Sequence, residues 1–253
     1  MEGLRRLIDT HAHLSDLEDM EGTIRRAEEA GVDAVVAVGA NLRTCMETFR
    51  WSEAFPSSVF PALGIHPTEW AEDDVAATLR FIEARLGDCV AVGEIGLDYW
   101  SREARRSGKM RELQRGLYVQ QLEMAAEQGK PALVHGRGAW RDALDLARLH
   151  GPGRVVFHWY SGPQDVLTEL LDAGYLISAT PAAEFSRDHR AALSAAPLDR
   201  ILMETDSPVS YHGAPAEPAD LRRTLRALAE LKGISEDEVA RTTTRNAERF
   251  FRI

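Results

Sequence analysis

Six side chains of the kinds that bind divalent cations are spread along the chain in a pattern that predicts one site. They are His11, His13, Glu94, His135, His158 and Asp206. Imidazole nitrogens and carboxylate oxygens are common ligands of divalent metals. Because alternate residues of a strand point to the same face, the two histidines of the Asp-Thr-His-Ala-His motif face one side together. This pair supplies half of a metal site.

The six side chains are sufficient for two ions. The paired histidines and Asp206 would bind one ion, while His135 and His158 would bind the other. Glu94 would bridge the two ions. Each ion would keep an open position for water, which distinguishes a catalytic metal site from a structural one. We therefore expect two divalent ions, with Mg²⁺, Mn²⁺ and Zn²⁺ all compatible with these ligand types.

Eight short apolar runs would position these side chains. They begin near Leu7, Ala34, Val59, Cys89, Ala132, Val155, Tyr175 and Ile201. Each run is apolar on both faces and precedes a segment of helical periodicity, a pattern typical of parallel strands covered by helices. Eight such units in 253 residues favour a closed (β/α)8 TIM barrel over an open sheet, because closure removes both sheet edges. We expect one domain, residues 1–253, with the ligands at the C-terminal strand ends.

Two four-residue sequences predict where helices begin. Ser161-Gly-Pro-Gln164 and Ser235-Glu-Asp-Glu238 both have the pattern of a capping box. The apolar residues of the predicted helices recur at helical spacing, as in the stripe formed by Leu221, Leu225 and Leu228. Each stripe predicts a helix that packs one face on the barrel.

The order of these residues resembles that of the TatD family of metal-dependent hydrolases, which belongs to the amidohydrolase-like barrels. The motifs that carry the resemblance span essentially the whole chain and are Gly64-Ile-His-Pro67, Gly93-Glu-Ile-Gly-Leu-Asp98, His158 with Ser161-Gly162, Glu204-Thr-Asp-Ser-Pro208, and Asn246 followed by Phe250. The resemblance implies two divalent metals and hydrolysis of a phosphoester, usually in DNA. The segment after Pro208 departs from the family pattern, because it is short and uncharged apart from His212.

Several residues near the predicted ligands have candidate roles in such a reaction. Asp206 would contact both a metal and the attacking water, so it is the candidate general base, beside the bridging Glu94. His66 would either donate to a phosphate oxygen or the leaving group, or serve as a structural histidine. Arg137 is spaced to contact a phosphate with both arms of its guanidinium. Asp9 and Glu204 would orient the ligand histidines.

The longest interval between predicted strands separates the fourth from the fifth. Its extra residues fall in Tyr99 to Arg115, where six basic side chains face two acidic ones. A loop at this position lies over the catalytic face of a barrel. The basic cluster, with Arg105 and Arg106 as candidate substrate contacts, is therefore either a solvated helix face or a guide for a polyanion. Trp100, near the start of the segment, and Trp159 after the sixth strand would either stack on bases or pack under the segment.

Charge, apolar runs and cysteine content indicate which classes of partner and which cellular compartment to expect for this protein. The formal net charge of −10 argues against a broad basic groove for nucleic acid but leaves room for a local one. Apolar runs are far shorter than the roughly 20 residues of a membrane-spanning helix. Residues 1–14 lack the apolar core of a secretory signal, and Cys45 and Cys89 have no cysteine nearby. We expect a cytoplasmic protein with reduced thiols, no membrane partner and a monomeric state.

Two other functions fit parts of the sequence. A metal-dependent amidohydrolase or esterase, acting on a cyclic amide, a lactone or an aminoacyl-tRNA ester, would use the same barrel. Such barrels often bridge their metals with a carboxylated lysine, whereas the fourth predicted strand here ends in Glu94. The third hypothesis is a nucleic-acid-binding protein with an idle site, that is, one without catalytic activity. Against it, the buried charges of the predicted ligand set would be costly to maintain without metal. The sequence favours a phosphodiesterase, with deoxyribonuclease activity on DNA ends or single strands as its specific form.

Overall fold

The computed structural model describes residues 6–70 and 75–253. Eight strands form one sheet: β1 Leu7–Ala12, β2 Val32–Gly39, β3 Val59–Leu63, β4 Ala91–Gly96, β5 Ala132–His135, β6 Val155–Phe157, β7 Leu176–Ala179 and β8 Ile201–Met203. Two further strands form a small antiparallel hairpin after β8: β9 Ser210–Tyr211 and β10 Ala214–Pro215. The strand positions confirm the prediction of eight units, with starts shifted by at most two residues.

Helices follow the strands and cover the outside of the sheet. Their bounds are α1 Met20–Glu29, α2 Leu42–Ala54, α3 Val75–Arg85, α4 Arg102–Arg106, α5 Gly108–Glu127, α6 Trp140–His150, α7 Gln164–Asp172, α8 Arg187–Ala195, α9 Leu221–Lys232 and α10 Glu236–Phe251. Short 3-10 turns occupy Leu14–Asp16, Leu86–Asp88, Pro181–Glu184, Leu198–Arg200 and Pro218–Asp220. In the described parts of the chain, no helix has the length and apolarity needed to cross a membrane.

The eight strands run parallel in sequence order, and the barrel closes where β1 meets the segment after β8. His13 N donates to Ser207 O over 2.7 Å, and Asp206 N donates to His11 O over 3.0 Å. A parallel bridge between Ala12 and Ser207 completes this junction. The predicted TIM barrel is therefore confirmed, and its closing seam runs through three of the residues predicted to bind metal.

Alternate residues of each strand face the two sides of the sheet, and both sides are apolar. In β2, Val36 and Val38 pack inside the barrel, whereas Val35 and Ala37 pack against the surrounding helices. Phe250 and Phe251, near the end of α10, belong to the inner cluster. The Phe250 carbonyl accepts a hydrogen bond from Arg154, which lies just before β6. The end of α10 therefore closes the barrel at the N-terminal ends of its strands.

One of the two predicted helix starts was wrong. Helix α7 begins at Gln164, after Pro163, and has no capping hydrogen bond from a side chain, so Ser161 is not its N-cap. The ring of a proline disfavours the helical conformation for the residue before it, so helix α7 begins only after Gly162 and Pro163. By contrast, the side chain of Ser235 accepts a hydrogen bond from Glu238 N and caps α10 as predicted. The segment after β4, for which a helix face was one of the alternatives, is largely helical, because α4 and the first part of α5 occupy it.

Candidate active site

The six predicted ligand side chains meet at the C-terminal end of the barrel. His11 lies in β1, Glu94 in β4 and His135 at the end of β5, while the other three follow β1, β6 and β8 directly. Five of them line a cavity of about 520 Å³, which opens at this end: His13, Glu94, His135, His158 and Asp206. His11 is fully buried beside them. The structure thus brings together every residue that the sequence nominated as a metal ligand.

Glu94 lies at the centre of the cluster, and its two oxygens face different histidines. Oε2 is 3.3 Å from His11 Nε2 and 3.4 Å from His13 Nε2. Oε1 is 2.8 Å from His135 Nδ1 and 3.2 Å from His158 Nε2. A carboxylate whose two oxygens face two separate histidine pairs has the arrangement needed to bridge two cations.

Asp206 lies on the same side of Glu94 as the paired histidines. Its Oδ1 atom is 3.6 Å from Nε2 of both His11 and His13. Asp206 has a positive φ of 53°, a backbone conformation that is uncommon outside glycine and is held here by the seam hydrogen bond to His11 O. The barrel seam therefore aims this carboxylate at the two histidines of β1.

The two carboxylates favour positive charge on the imidazoles around them. Burial alone would lower the pKa of His13, but Asp206 and Glu94 outweigh burial and raise this pKa to about 10. Burial likewise opposes protonation of His158, yet the charges of Glu94 and Glu204 raise its pKa to about 10. Burial would raise the pKa of Glu94, but the surrounding histidines hold it well below its ordinary value. Both carboxylates therefore stay ionised, and their negative charge at the centre of the cluster favours a cation.

The donor set fits divalent metal ions. Both ring nitrogens of His11 are buried and have no hydrogen-bond partner among the described residues. Unsatisfied buried polar atoms are costly, so the nitrogen that faces Glu94 and Asp206 is well suited to bind a metal. Within residues 6–70 and 75–253, three groups of nearby ligand atoms are close enough to hold an ion: His11 with His13 and Glu94; His66 with Glu94 and His135; and His11 with His158 and Glu204.

Neighbouring carboxylates fix the orientation of the cluster. Glu204 Oε1 is 2.9 Å from His158 Nδ1 and also accepts a hydrogen bond from Trp159 N, so the other nitrogen of His158 points to Glu94. Asp9 behaves differently from the prediction. It accepts hydrogen bonds from the backbone N–H groups of His11 and Thr205 and from the Thr205 hydroxyl, and it orients backbone rather than an imidazole ring. Burial raises the pKa of Asp9 to about 8.

His66, from the Gly-Ile-His-Pro motif after β3, also reaches the cavity. Its Nδ1 accepts a hydrogen bond from Thr68 N and lies 2.7 Å from the Thr68 hydroxyl. Its Nε2 is 3.7 Å from Glu94 Oε1. Burial lowers the pKa of His66 to about 3. A neutral ring whose Nδ1 accepts a hydrogen bond carries its proton on Nε2, on the side that faces the cavity.

The predicted substrate-binding arginines occupy different places. Arg137 lines the cavity, but its Nε and Nη2 atoms both donate to Asp98 Oδ2, over 3.0 and 2.7 Å. The sequence did not predict this pairing, which leaves only part of the guanidinium free for a phosphate. Arg105 and Arg106 lie exposed on α4 and are not among the residues that line the cavity. The guanidinium carbon of Arg105 is 6.0 Å from the centre of the Trp100 ring.

Some residues of the cavity were not identified from the sequence. Trp140 lines the cavity and contacts the Tyr160 ring at a centroid distance of 4.6 Å. The available signal was its position at the start of the helix that follows β5, at the same end of the barrel as His135. Trp100 and Trp159, for which stacking and packing were both open, also line the cavity.

The closed parallel barrel with a buried histidine and carboxylate cluster at its C-terminal end defines a metal-dependent hydrolase. The family described as TatD related DNase matches residues 8–252. The chain belongs to the TatD family.

Relatives and solved structures agree with this assignment. The chain is 32% identical to the deoxyribonuclease TATDN3 of Homo sapiens, over 97% of this chain and 94% of the relative. It is 34% identical to an uncharacterized metal-dependent hydrolase TatD of Mycobacterium tuberculosis, over 97% of both chains. The crystal structure of YJJV, a TatD homologue from Escherichia coli, superposes with a TM-score of 0.87 at 26% identity and covers 98% of both chains.

Proposed function

We propose that this protein is a deoxyribonuclease that uses two divalent ions to hydrolyse phosphodiester bonds at DNA ends or in single strands. The observation that carries this proposal is the position of Glu94 between two histidine pairs, with one oxygen toward each. The deoxyribonuclease name of the human relative supports DNA as the substrate class. The cavity is reached from one end of a closed barrel, which suits a strand end better than an uninterrupted duplex.

The proposed ligands divide into two sets. His11, His13 and Asp206 would hold one ion, and His135 and His158 would hold the other, with Glu94 shared. The nature of the ligands is compatible with Mg²⁺, Mn²⁺ or Zn²⁺. Two such ions, when bound, supply an activated water near neutral pH and electrostatic stabilisation of the attacking and leaving oxygens.

The protein's own groups would then position the phosphodiester and move protons. Asp206 is held ionised by the neighbouring histidines, which lower its pKa against the effect of burial, so a carboxylate oxygen can accept a proton from the attacking water. His66 would donate a hydrogen bond from Nε2 to a phosphate oxygen. Arg137 would contact the phosphate with the guanidinium nitrogen that Asp98 leaves free.

One experiment distinguishes the proposed deoxyribonuclease from the two other functions that the sequence left open. The purified protein would be stripped with chelator, refilled separately with Mg²⁺, Mn²⁺ or Zn²⁺, and its bound metal counted by mass spectrometry. Each form would be incubated with 3′- and 5′-labelled single-stranded DNA, a blunt duplex, an aryl phosphodiester and an aryl ester. We expect metal-dependent cleavage of DNA and of the phosphodiester, with two ions per chain. Cleavage of the ester alone would establish the amidohydrolase or esterase alternative, and DNA binding without cleavage of any substrate would establish the idle site.

We further propose that the chain acts as a single-domain monomer in the cytoplasm. The single barrel sheet supports one domain, and the buried, unpaired Cys45 and Cys89 are compatible with a reducing compartment. Light scattering of the metal-loaded protein tests the monomer, because a dimer would double the 28.1 kDa mass of the chain.

A further inference from the structure

A second, larger cavity adjoins the one that contains Glu94. It has a volume of about 970 Å³ and lies over the beginnings of α6, α7 and α8. The two cavities share five lining residues: Trp100, Arg137, Trp140, Ser161 and Ser186. They therefore form one continuous depression, which we call the side groove where it extends beyond the metal cluster. The groove leaves the cluster on the side of β5 and β6, which carry His135 and His158.

Trp100 lies at the junction of the two cavities and is exposed but held in place. Its relative exposure is 59%, unusual for a tryptophan. The edge of the indole lies against Gly138, where an added Cβ would be only 2.3 Å from Trp100 Cδ1. Gly138 also has a φ of 71°, so both its backbone and this contact require glycine. On the other side of the residue, the backbone N–H of Trp100 donates to Asp98 Oδ1 over 2.9 Å.

An exposed indole held in this way is a suitable surface for stacking a nucleic-acid base. The indole ring is already held in one orientation before a ligand binds, so less conformational entropy is lost when a base stacks on it. Burial in a packed interior would not leave more than half of the side chain accessible to solvent. The positions of Trp100 and Gly138 therefore indicate contact with a ligand rather than packing under the segment that follows β4.

The walls of the side groove suit phosphate groups. Arg137, Arg141 and Arg187 line it. Arg137 is paired with Asp98, and Arg141 is paired with carboxylates of α6 and α7, whereas Arg187 has no ion-pair partner in the described portion of the chain. Asp142 also lines it, but the guanidinium of Arg115 neutralises this carboxylate over 2.6 Å. Asp188 is the remaining acidic side chain of the groove.

The helix beginnings add further donors. Helices α6 and α7 both begin in the groove without a capping hydrogen bond from a side chain, so their first N–H groups are available to an anion. Together with Arg187, these donors favour an anionic ligand.

We propose that the side groove binds the nucleotide next to the scissile phosphodiester, with its base stacked on Trp100 and its phosphate at Arg187. This inference rests on the proposed function and specifies its substrate. A base can stack on Trp100 only when it is unpaired, so the substrate is a single strand, or a frayed end, that extends at least one nucleotide from the metal cluster toward α6 and α7.

The test combines variants with substrates of different length. Trp100→Ala, Trp100→Phe and the parent protein, each loaded with the same metal, would be assayed on a single-stranded tetranucleotide and on bis(p-nitrophenyl) phosphate. We expect Trp100→Ala to lower kcat/KM for the tetranucleotide roughly 5- to 100-fold, mainly through KM, because stacking stabilises each base by an amount of this order. Hydrolysis of the small diester should fall by a smaller factor than hydrolysis of the tetranucleotide, and Trp100→Phe should restore most of the loss.

A matched control comes from Phe185, the other exposed aromatic residue among those described, which lies against His212 and does not line the groove. Phe185→Ala should leave both substrates unaffected. Equal losses on the tetranucleotide and the small diester in Trp100→Ala, or an equal loss on a blunt duplex, would overturn the stacking proposal while leaving the phosphodiesterase intact. If the parent protein hydrolyses neither diester with any metal, it is the proposed function that fails.

Discussion

The barrel has one end that is closed by apolar side chains and another that is lined with ionisable ones. At the N-terminal strand ends, the rings of Phe250 and Phe251 pack against each other with their centroids 4.9 Å apart, and both residues belong to the inner apolar cluster. At the opposite end, five imidazoles surround Glu94, and both nitrogens of His11 are without a hydrogen-bond partner within the described residues. The first end stabilises the fold, whereas the second maintains a costly arrangement of buried polar groups that a bound cation would satisfy.

The strongest test of this contrast is Glu94→Gln at the polar end. The amide keeps the shape of the side chain but removes the charge that faces both histidine pairs. We expect kcat for an aryl phosphodiester to fall on the order of 10³-fold, because electrostatic stabilisation by the ions amounts to several kcal/mol. Bound metal should be counted in parallel. Glu103→Gln, on the exposed side of α4, is the control. Full turnover by the Glu94 variant would rule out a bridging role.

At the apolar end, Phe250→Ala should lower the stability of the fold and leave the turnover of the folded enzyme unchanged. Phe250 is only 4% exposed, and its truncation leaves a cavity in the inner cluster. We expect the free energy of unfolding, measured in urea, to fall by about 3–5 kcal/mol. At a temperature where the variant remains folded, its kcat should equal that of the parent. A reduced kcat in the folded variant would show that the two ends are not independent.

A smaller effect is expected from Glu204→Gln, next to the cluster. Glu204 orients the ring of His158, and the amide would weaken that interaction without removing a proposed ligand. Loss of such orienting groups typically lowers metal affinity or activity about 10- to 100-fold. Competition with a fluorescent chelator measures the affinity. Glu217→Gln, which removes an ion pair with Arg26 away from the cavity, should leave the affinity unchanged.

The smallest expected effect is on the pH dependence of stability, and it comes from His189. This buried histidine lies at the polar end but is not part of the cluster. Its Nδ1 donates to Tyr160 O, and its Nε2 accepts from Thr180 N, so the ring is neutral in the folded protein. Burial lowers its pKa from 6.5 to about 4. The unfolded chain therefore takes up this proton first as the pH falls, and the stability present above pH 6.5 is lost between about pH 6.5 and 4.

The variant His189→Gln retains a donor and an acceptor but does not titrate. Between pH 7 and pH 5, the parent should lose about 2 kcal/mol more unfolding free energy than this variant, measured in urea under the same metal conditions. Identical losses in the two proteins would show that His189 takes up its proton in the folded state as readily as in the unfolded chain.

Much of the site was predictable because its signals are local. The spacing of His11 and His13 places both on one strand face, and Glu94, His135 and His158 each follow an apolar run that forms a strand. Parallel strands in a closed barrel bring such positions to one cavity, so the ligand list required no knowledge of distant contacts.

The parts that were not predicted depend on register and on pairs of residues far apart in the chain. Gly96 lies opposite His135 in the pairing of β4 with β5, and this register places Asp98 beside Arg137. Because the sequence does not specify the register, the binding of this arginine by a carboxylate was missed. The bounds of the two helices after β4 were not predicted for another reason. Their caps, Ser101 and Ser107, are single serines within a segment that was interpreted mainly by its charge.

The hydrogen bonds between His13 and Ser207 and between His11 and Asp206 also bear on when the protein can become active during its own synthesis. They join the first strand to residues that follow the last one, so nearly the whole chain must leave the ribosome before the barrel closes. Until then, the histidines of β1 lack Asp206, and their half of the cluster has no second carboxylate. A hydrolase built in this way has no complete centre on the nascent chain, and its activity begins only with the finished fold.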